Sequence, residues 1–249
     1  MQARGVAMTL GRVRGRLAKL AAVLARPRLY RGLACGVVAG VEHLAVLRRL
    51  APATVIDVGA HRGQFALAVR AVLPAARIVA LEPQPAAAAR FRRVFAGDAR
   101  VRLHPVAAAA RNGEATLYLA GRSDSSSLLP PGALQAKIFP GTAEVARRRV
   151  SCVRLDALLA TEALAPPVLL KLDVQGGELA ALEGTTGWLD RVAWVYAECS
   201  TLPLYDGQPM QSEVAAWLAA QGFRCVGRFN VVRHRDYGPV QADVLFTRA

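Results

Sequence analysis

Five carboxylates and one histidine sit where apolar runs give way to polar turns, and these positions define the chemistry open to the chain. The first lies in VIDVGAHRGQF, residues 55–65, where an apolar run ends at Asp57 and Gly59 and Gly63 follow, with Ala60 and His61 between them. A strand that turns on glycine into a helix brings bare backbone and a helix N-terminus to one point, where a nucleotide-like ligand can settle. The spacing D-x-G-x-x-x-G is not the G-x-G-x-x-G of a dinucleotide site, because His61 stands where a second glycine lets a pyrophosphate approach. The turn therefore counts against NAD or FAD and for a ligand without phosphates at that point.

Glu82 ends the next apolar run. A carboxylate there accepts hydrogen bonds from a ribose diol, and such charge-assisted bonds contribute ~1.5–3 kcal/mol. The turn and Glu82 together indicate an adenosine-type cofactor. The third group is LLKLDVQGGELAALEG, in which Asp173 closes a dense apolar run and Glu178 opens the following helix, while Glu198 closes the run after that. Carboxylates at one sheet edge can hold a substrate, act as a general base or bind a divalent cation through oxygen. At Glu178 the helix dipole supplies a purely structural reason for an acid. The polar loop GRSDSSSL places Ser125 and Ser126 at the border of a substrate pocket. His43, His104 and His234 are assigned structural or surface roles, and Lys171 a helix-facing structural one. No G-x-S-x-G elbow supports a serine hydrolase.

The elements that must position these groups alternate from residue 53 onward. Strands are expected at 54–58, 77–83, 101–107, 167–174 and 192–199, and helices at 64–73, 85–95, 178–182 and 212–221. This alternation predicts an α/β fold of the Rossmann-like class: a mostly parallel sheet with right-handed crossovers and helices on both faces. The last two runs, joined by RHRDYGP, read as a terminal antiparallel hairpin. Residues 51–249 are read as one domain with an insert at about 108–160. Residues 1–50 are read as an N-terminal helical extension, with a second helix from about 29 to 50. Its first part, residues 10–24, carries Leu10, Val13, Leu17, Leu20 and Leu24 on one stripe with Arg12, Arg16 and Lys19 on or near the other side. Such a basic amphipathic helix either touches a membrane surface peripherally or packs on its own domain, a partner or a second copy of the chain.

The net charge of +14 raises nucleic acid as a partner, but only Lys19, Lys137 and Lys171 are lysines among 32 basic residues, and no aromatic-interleaved basic strip accompanies them. Nucleic-acid binding is not expected. Cys35, Cys152, Cys199 and Cys225 form no CxxC pair, which argues against zinc and against a disulfide framework. No apolar run reaches the roughly 20 residues needed to span a bilayer, and a cytoplasmic location is expected.

DVGAHRGQF, the ALEP pair, the SSSL loop, LLKLDVQGGELAALEG and ECSTLPLYDGQP together resemble the FkbM-type methyltransferases, a branch of the Rossmann-like S-adenosylmethionine-dependent enzymes. The likeness runs from about residue 52 to the end. It implies a class I methyltransferase fold with S-adenosylmethionine as cofactor and O-methylation, often of sugar hydroxyls. Asp57, Gly59, Ala60 and Gly63 would then line the methionine end of the cofactor, and Glu82 would hold its ribose. Many members carry D-x-E-G-x-E where this chain has Asp173, Gln175, Gly176 and Glu178, so the middle acid is missing. No metal ligand is assigned. Methyl transfer to a hydroxyl is an in-line displacement that needs a positioned nucleophile and a proton acceptor. Asp173, Glu198 and His61 are the candidate catalytic groups, and Ser125, Ser126 and Glu178 the candidate acceptor contacts. A catalytically silent module keeping the fold is the alternative.

Overall fold

Strand β1, Thr54–Val58, is buried at every position, as is β7, Val168–Leu172. Of their ten residues only Thr54, Asp57 and Lys171 are polar, and strands apolar toward both faces belong at the centre of a covered parallel sheet. The computed structural model, which describes Arg26 and residues 29–248, places the two strands side by side there. With β2 (Arg77–Leu81), β3 (Val101–His104), β8 (Val192–Ser200), β9 (Phe223–His234) and β10 (Gly238–Arg248), they form a seven-stranded sheet of order β3-β2-β1-β7-β8-β10-β9. The first five are parallel, and β10 runs antiparallel to β8 and to β9. This is the expected mostly parallel sheet with a terminal hairpin. The order reverses between β1 and β7, and open sheets bind ligands at the carboxyl ends of the strands flanking such a reversal.

Both faces are covered. On one, Ile56, Val58, Leu170, Leu172, Val195 and Ala197 pack with Leu155, Leu182 and Leu218 from the helices Leu155–Leu159, Glu178–Glu183 and Gln211–Ala220. On the other, Val55, Leu169, Tyr196 and Leu245 meet Phe65 and Val69 of the helix Gln64–Val72 and Phe91 of Pro85–Val94. Full burial of each such side chain contributes about 1.5–3 kcal/mol, so the strand runs set both sheet and layers.

The chain ahead of β1 packs on this second face through Leu29, Val37, Leu44 and Leu47. The continuous helix expected from about 29 to 50 is instead a short helix, Tyr30–Ala34, an irregular crossing, a 3-10 turn at Val41–His43 and a helix, Leu44–Leu50. The chain turns at Gly36 and is pinned at Gly40, whose N–H donates to the Gln64 carbonyl at 2.9 Å. Contact with the helix Gln64–Val72 overrides local helical preference here. The amphipathic stretch 10–24 lies outside the described residues. Between β3 and β7, β4 (Ala107–Ala108), β5 (Gly113–Ala120) and β6 (Glu144–Val153) make a separate three-stranded sheet of order β4-β6-β5.

Candidate functional site

At the carboxyl edge of β1, Gly59 and Ala60 both donate their N–H groups to the Leu81 carbonyl at 3.0 Å, which ties the turn to β2. Gly59 has φ +79°, and a Cβ there would overlap the Asp173 carbonyl. Gly63 has φ +95°, and its Cβ would lie 2.7 Å from Phe95. Each glycine thus makes room for protein on the side a Cβ would occupy: Gly59 lets the loops after β1 and β7 touch while its backbone still lines the cavity, and Gly63 lets its helix meet the next one. What faces the ligand is the rim of the turn. Gly59, Ala60 and His61 line a cavity of about 610 Å³, together with Glu82, the loop 122–129, Asp173, Glu198 and residues of the terminal hairpin.

Glu82 is 3% exposed. One of its oxygens accepts the His61 N–H at 2.8 Å and the other the Gln84 N–H at 2.7 Å. Burial raises its pKa to about 7 against the opposing pull of these two N–H groups. Each oxygen keeps a lone pair for a further donor. Asp57 is fully buried, and both its oxygens lack a hydrogen-bond partner. Its nearest cation is Lys171 Nζ at 3.7 Å, and burial raises its pKa to about 6. Asp57 does not line the cavity and lies beneath the turn, one layer below the residues that do.

Period-two alternation puts Lys171 on the same face as Asp173, and Asp57 pairs with Lys171 across β1 and β7. Lys171 faces the helix Gln64–Val72, with its Nζ 5.4 Å from the centre of the Phe65 ring, and it also joins the site: its Nζ donates to Asp173 Oδ2 at 2.9 Å. Burial opposes its charge, but Asp173 and Asp57 outweigh burial and raise its pKa. Burial pushes Asp173 up, and the Lys171 charge and hydrogen bond overcome this and leave it low. Glu198 goes the other way: burial, then the neighbouring Asp173 charge, raise it well above the usual range.

Gln175, at φ 56°, joins the two acids. Its Nε2 donates to Asp173 Oδ1 at 2.9 Å and to Glu198 Oε2 at 2.7 Å, while its Oε1 accepts from Tyr205 at 2.9 Å. The amide that replaces the expected acid is the bridge of a carboxylate pair. One member is ionised and the other is biased toward its protonated form, an arrangement suited to passing a proton.

The remaining expected residues divide. Ser125 and Ser126 line the cavity, but Ser126 Oγ accepts the Ala120 N–H at 3.1 Å, and the serine nearest the turn is Ser123. His61 Nε2 lies 2.9 Å from Ser123 Oγ and Nδ1 3.2 Å from Gln64 Nε2, so both ring nitrogens are engaged within the protein. Burial and Arg62 lower its pKa and keep it neutral. Glu178 does not line the cavity. At 2% exposure it folds under the loop and accepts the N–H groups of Val174 and Gly176 at 3.2 Å, and burial raises its pKa to about 7. The expected acceptor contact at Glu178 is thus corrected to a loop-holding one. His43, expected to be structural or at the surface, lines the cavity and lies 3.3 Å from the Tyr196 hydroxyl and the Asn230 amide. Among the described residues no group of three or more His, Cys, Asp or Glu is placed to hold a metal, and no helix is long and apolar enough to cross a membrane.

A 3-2-1-7-8 parallel sheet extended by an antiparallel hairpin, with its polar edge at the strand reversal, is the Rossmann-like class I methyltransferase architecture. The chain belongs to the family of methyltransferase FkbM domains, which it matches over residues 57–225. It is 31% identical over 165 residues to the 2-O-methyltransferase NoeI of Sinorhizobium fredii (strain NBRC 101917 / NGR234), an alignment covering 62% of this chain and 66% of that protein. The chain thus spans slightly less than two thirds of that relative. Among solved structures it is similar to the bifunctional kinase-methyltransferase WbdD, with TM-score 0.44 and 15% identity over 84% of this chain and 37% of that one. It is also similar to EvdMO1, with TM-score 0.45 and 16% identity over 82% and 39%.

Proposed function

We propose that this domain transfers a methyl group from S-adenosylmethionine to a hydroxyl of a sugar-like acceptor. The observation that carries the reading is the Asp173–Gln175–Glu198 bridge, which opens into the same cavity as Glu82 and the rim of the β1 turn. When bound, S-adenosylmethionine supplies an activated methyl on a sulfonium. The residues fit such a group. Six carboxylates line the cavity (Glu42, Glu82, Asp124, Asp173, Glu198 and Asp243) against one lysine and one arginine, so the site favours a cation although the chain carries +14. Two phosphates would meet the same acids unfavourably, which speaks against NAD.

In this reading Glu82 holds the ribose diol, Gly59, Ala60 and His61 border the cofactor, and Gly63 fixes the turn without touching it. Asp57 contributes negative charge from beneath. Asp173, kept ionised by Lys171, orients the acceptor hydroxyl. The carboxylate pair then takes up its proton as a unit, because a cationic ligand nearby favours the ionised form of Glu198. The Ser123–Ser126 loop closes the acceptor side. The 2-O-methyltransferase relative supports a hydroxyl oxygen as acceptor.

Calorimetric titration with S-adenosylmethionine tests this directly. The wild type is expected to bind, and Glu82→Gln to bind about 10- to 100-fold more weakly, the equivalent of losing ~1.5–3 kcal/mol of charge-assisted hydrogen bonding. No binding by the wild type would sink the reading.

A further inference from the structure

The charged residues of the helices are sorted by face. The helices on one side of the main sheet, Tyr30–Ala34, Leu44–Leu50, Gln64–Val72 and Pro85–Val94, contain seven arginines and no acidic residue. Those on the other side, Leu155–Leu159, Glu178–Glu183 and Gln211–Ala220, contain four acidic residues and no basic one. A general excess of arginine would raise both sides alike, so composition does not account for the separation. Two of the seven are used inside the domain. Arg70 pairs with Asp98 at 2.6 Å, and Arg90 donates to the Cys35 carbonyl at 2.7 Å, which ties the helix Pro85–Val94 to the chain ahead of β1. The other five, Arg31, Arg48, Arg49, Arg92 and Arg93, are exposed and form no ion pair among the described residues. On the same segment Tyr30 and Val38 are 46% and 50% exposed, and the 3-10 turn adds one acid, Glu42, at the cavity rim. The chain reaches this side straight from its basic amphipathic stretch: Leu29, 1% exposed beneath these helices, follows closely on Leu24, the end of the apolar stripe that Arg12, Arg16 and Lys19 accompany.

We infer that this arginine-rich side of the domain docks on an anionic lipid surface, with residues 10–24 as the adjoining element. Each cationic side chain held near a negatively charged bilayer raises affinity about fivefold. A tyrosine and a valine exposed among the arginines suit the headgroup layer. A second copy of the chain does not suit this side, because an isologous contact would set the same five arginines against themselves. Nucleic acid is disfavoured by the neighbouring cavity: Val38, Glu42 and His43 of this segment line it, and its six carboxylates would repel phosphates. Because that segment belongs both to the docking side and to the cavity wall, a docked domain holds its cavity rim at the lipid surface.

The test is co-sedimentation of the full chain with vesicles of phosphatidylcholine, alone or with about one third phosphatidylglycerol, at ~0.1 M and ~0.5 M salt. The wild type is expected to bind the anionic vesicles about tenfold or more tighter than the neutral ones, and to lose most of that binding at the higher salt. The combined variant Arg48→Gln, Arg49→Gln, Arg92→Gln and Arg93→Gln is expected to bind them about 20-fold or more weaker. Arg111→Gln, Arg147→Gln, Arg148→Gln and Arg149→Gln together remove the same charge from the small three-stranded sheet and the turn before it, and should stay within about threefold of wild type. Thermal melts by circular dichroism check folding, and the pair Arg48→Gln and Arg92→Gln, expected to weaken binding about fivefold or more, replaces the first variant if it melts early. Equal binding to both kinds of vesicle, equal losses in the two fourfold variants, or undiminished binding by the first would overturn the docking side. So would an RNA duplex bound more tightly than the vesicles, or a dimer in sedimentation velocity, if either is lost in the first variant.

Discussion

Lys171→Met isolates the charge balance on which the site rests. In the wild type, Asp57 is fully buried with its pKa raised to about 6, and Lys171 stands 3.7 Å from it. The folded state holds this proton more tightly than the unfolded chain, whose aspartate titrates near 3.9. Stability therefore falls as pH rises from about 4 to about 6, by about 3 kcal/mol in total, and then levels off. A unit charge at 3.7 Å in an effective dielectric of about 20 is worth about 4 kcal/mol, or about three pKa units. Removing Lys171 should thus carry the folded pKa of Asp57 to about 9. The decline with pH then continues instead of levelling at 6. Relative to wild type the deficit from Asp57 is near zero at pH 5, about 1.4 kcal/mol at pH 7 and up to about 1.4 kcal/mol larger for each further unit until it levels near pH 9. Asp173 adds less, because its side chain is 35% exposed and solvent screens it. Urea midpoints followed by circular dichroism at pH 5, 7 and 8 measure the effect, and Lys171→Met with Asp57→Asn should remove its pH-dependent part. Parallel stability curves for wild type and Lys171→Met would refute the claim that Lys171 sets the ionisation of Asp57.

Gly59→Ala is expected to lower the melting temperature by about 6–12 °C, since a loss of about 3 kcal/mol moves a chain of this size by about 2–4 °C per kcal/mol. Gly207→Ala, at φ +75° with nothing within 4 Å of its Cβ, should cost only the backbone strain of about 1–2 kcal/mol. Equal losses by differential scanning fluorimetry would show that the Asp173 contact is unimportant. Gln175→Leu should lower kcat about 10- to 100-fold by releasing the carboxylate pair, with the Kd for S-adenosylmethionine within about threefold of wild type. Gln175→Glu should be impaired most at pH 8 and recover toward pH 6 as the third carboxyl takes a proton; a flat ratio to wild type across that range would count against the bridge.

Much of this protein is local in origin and so legible in the chain itself. β1 and β7 are mostly apolar toward both faces, and a central parallel strand buries such a run on both. Asp57, Asp173 and Glu198 lie at or near the ends of their runs, so strand length alone brings them toward one edge. The resemblance to the methyltransferase family rests on the same short stretches, and the family match over residues 57–225 agrees with it.

The tertiary structure decided what depends on neighbours distant in sequence. Glycine spacing announced a tight turn, but the pairing of β1 with β7 decided that Asp173, not a ligand, fills the space beside Gly59. Strand register made Lys171 the counter-ion of Asp57 and Asp173, and a left-handed Gln175 turned a missing acid into a bridge. Glu178 looked like a site acid because its position in the chain is right, yet burial beneath the loop turned it to backbone N–H groups. His43 and Asp243 lie 200 residues apart and meet at 3.7 Å only because the chain ahead of β1 packs on the sheet face to which Asp243 of the last strand points. Periodicity records which way a side chain points, whereas ion pairing and cavity walls depend on what the folded chain brings opposite it.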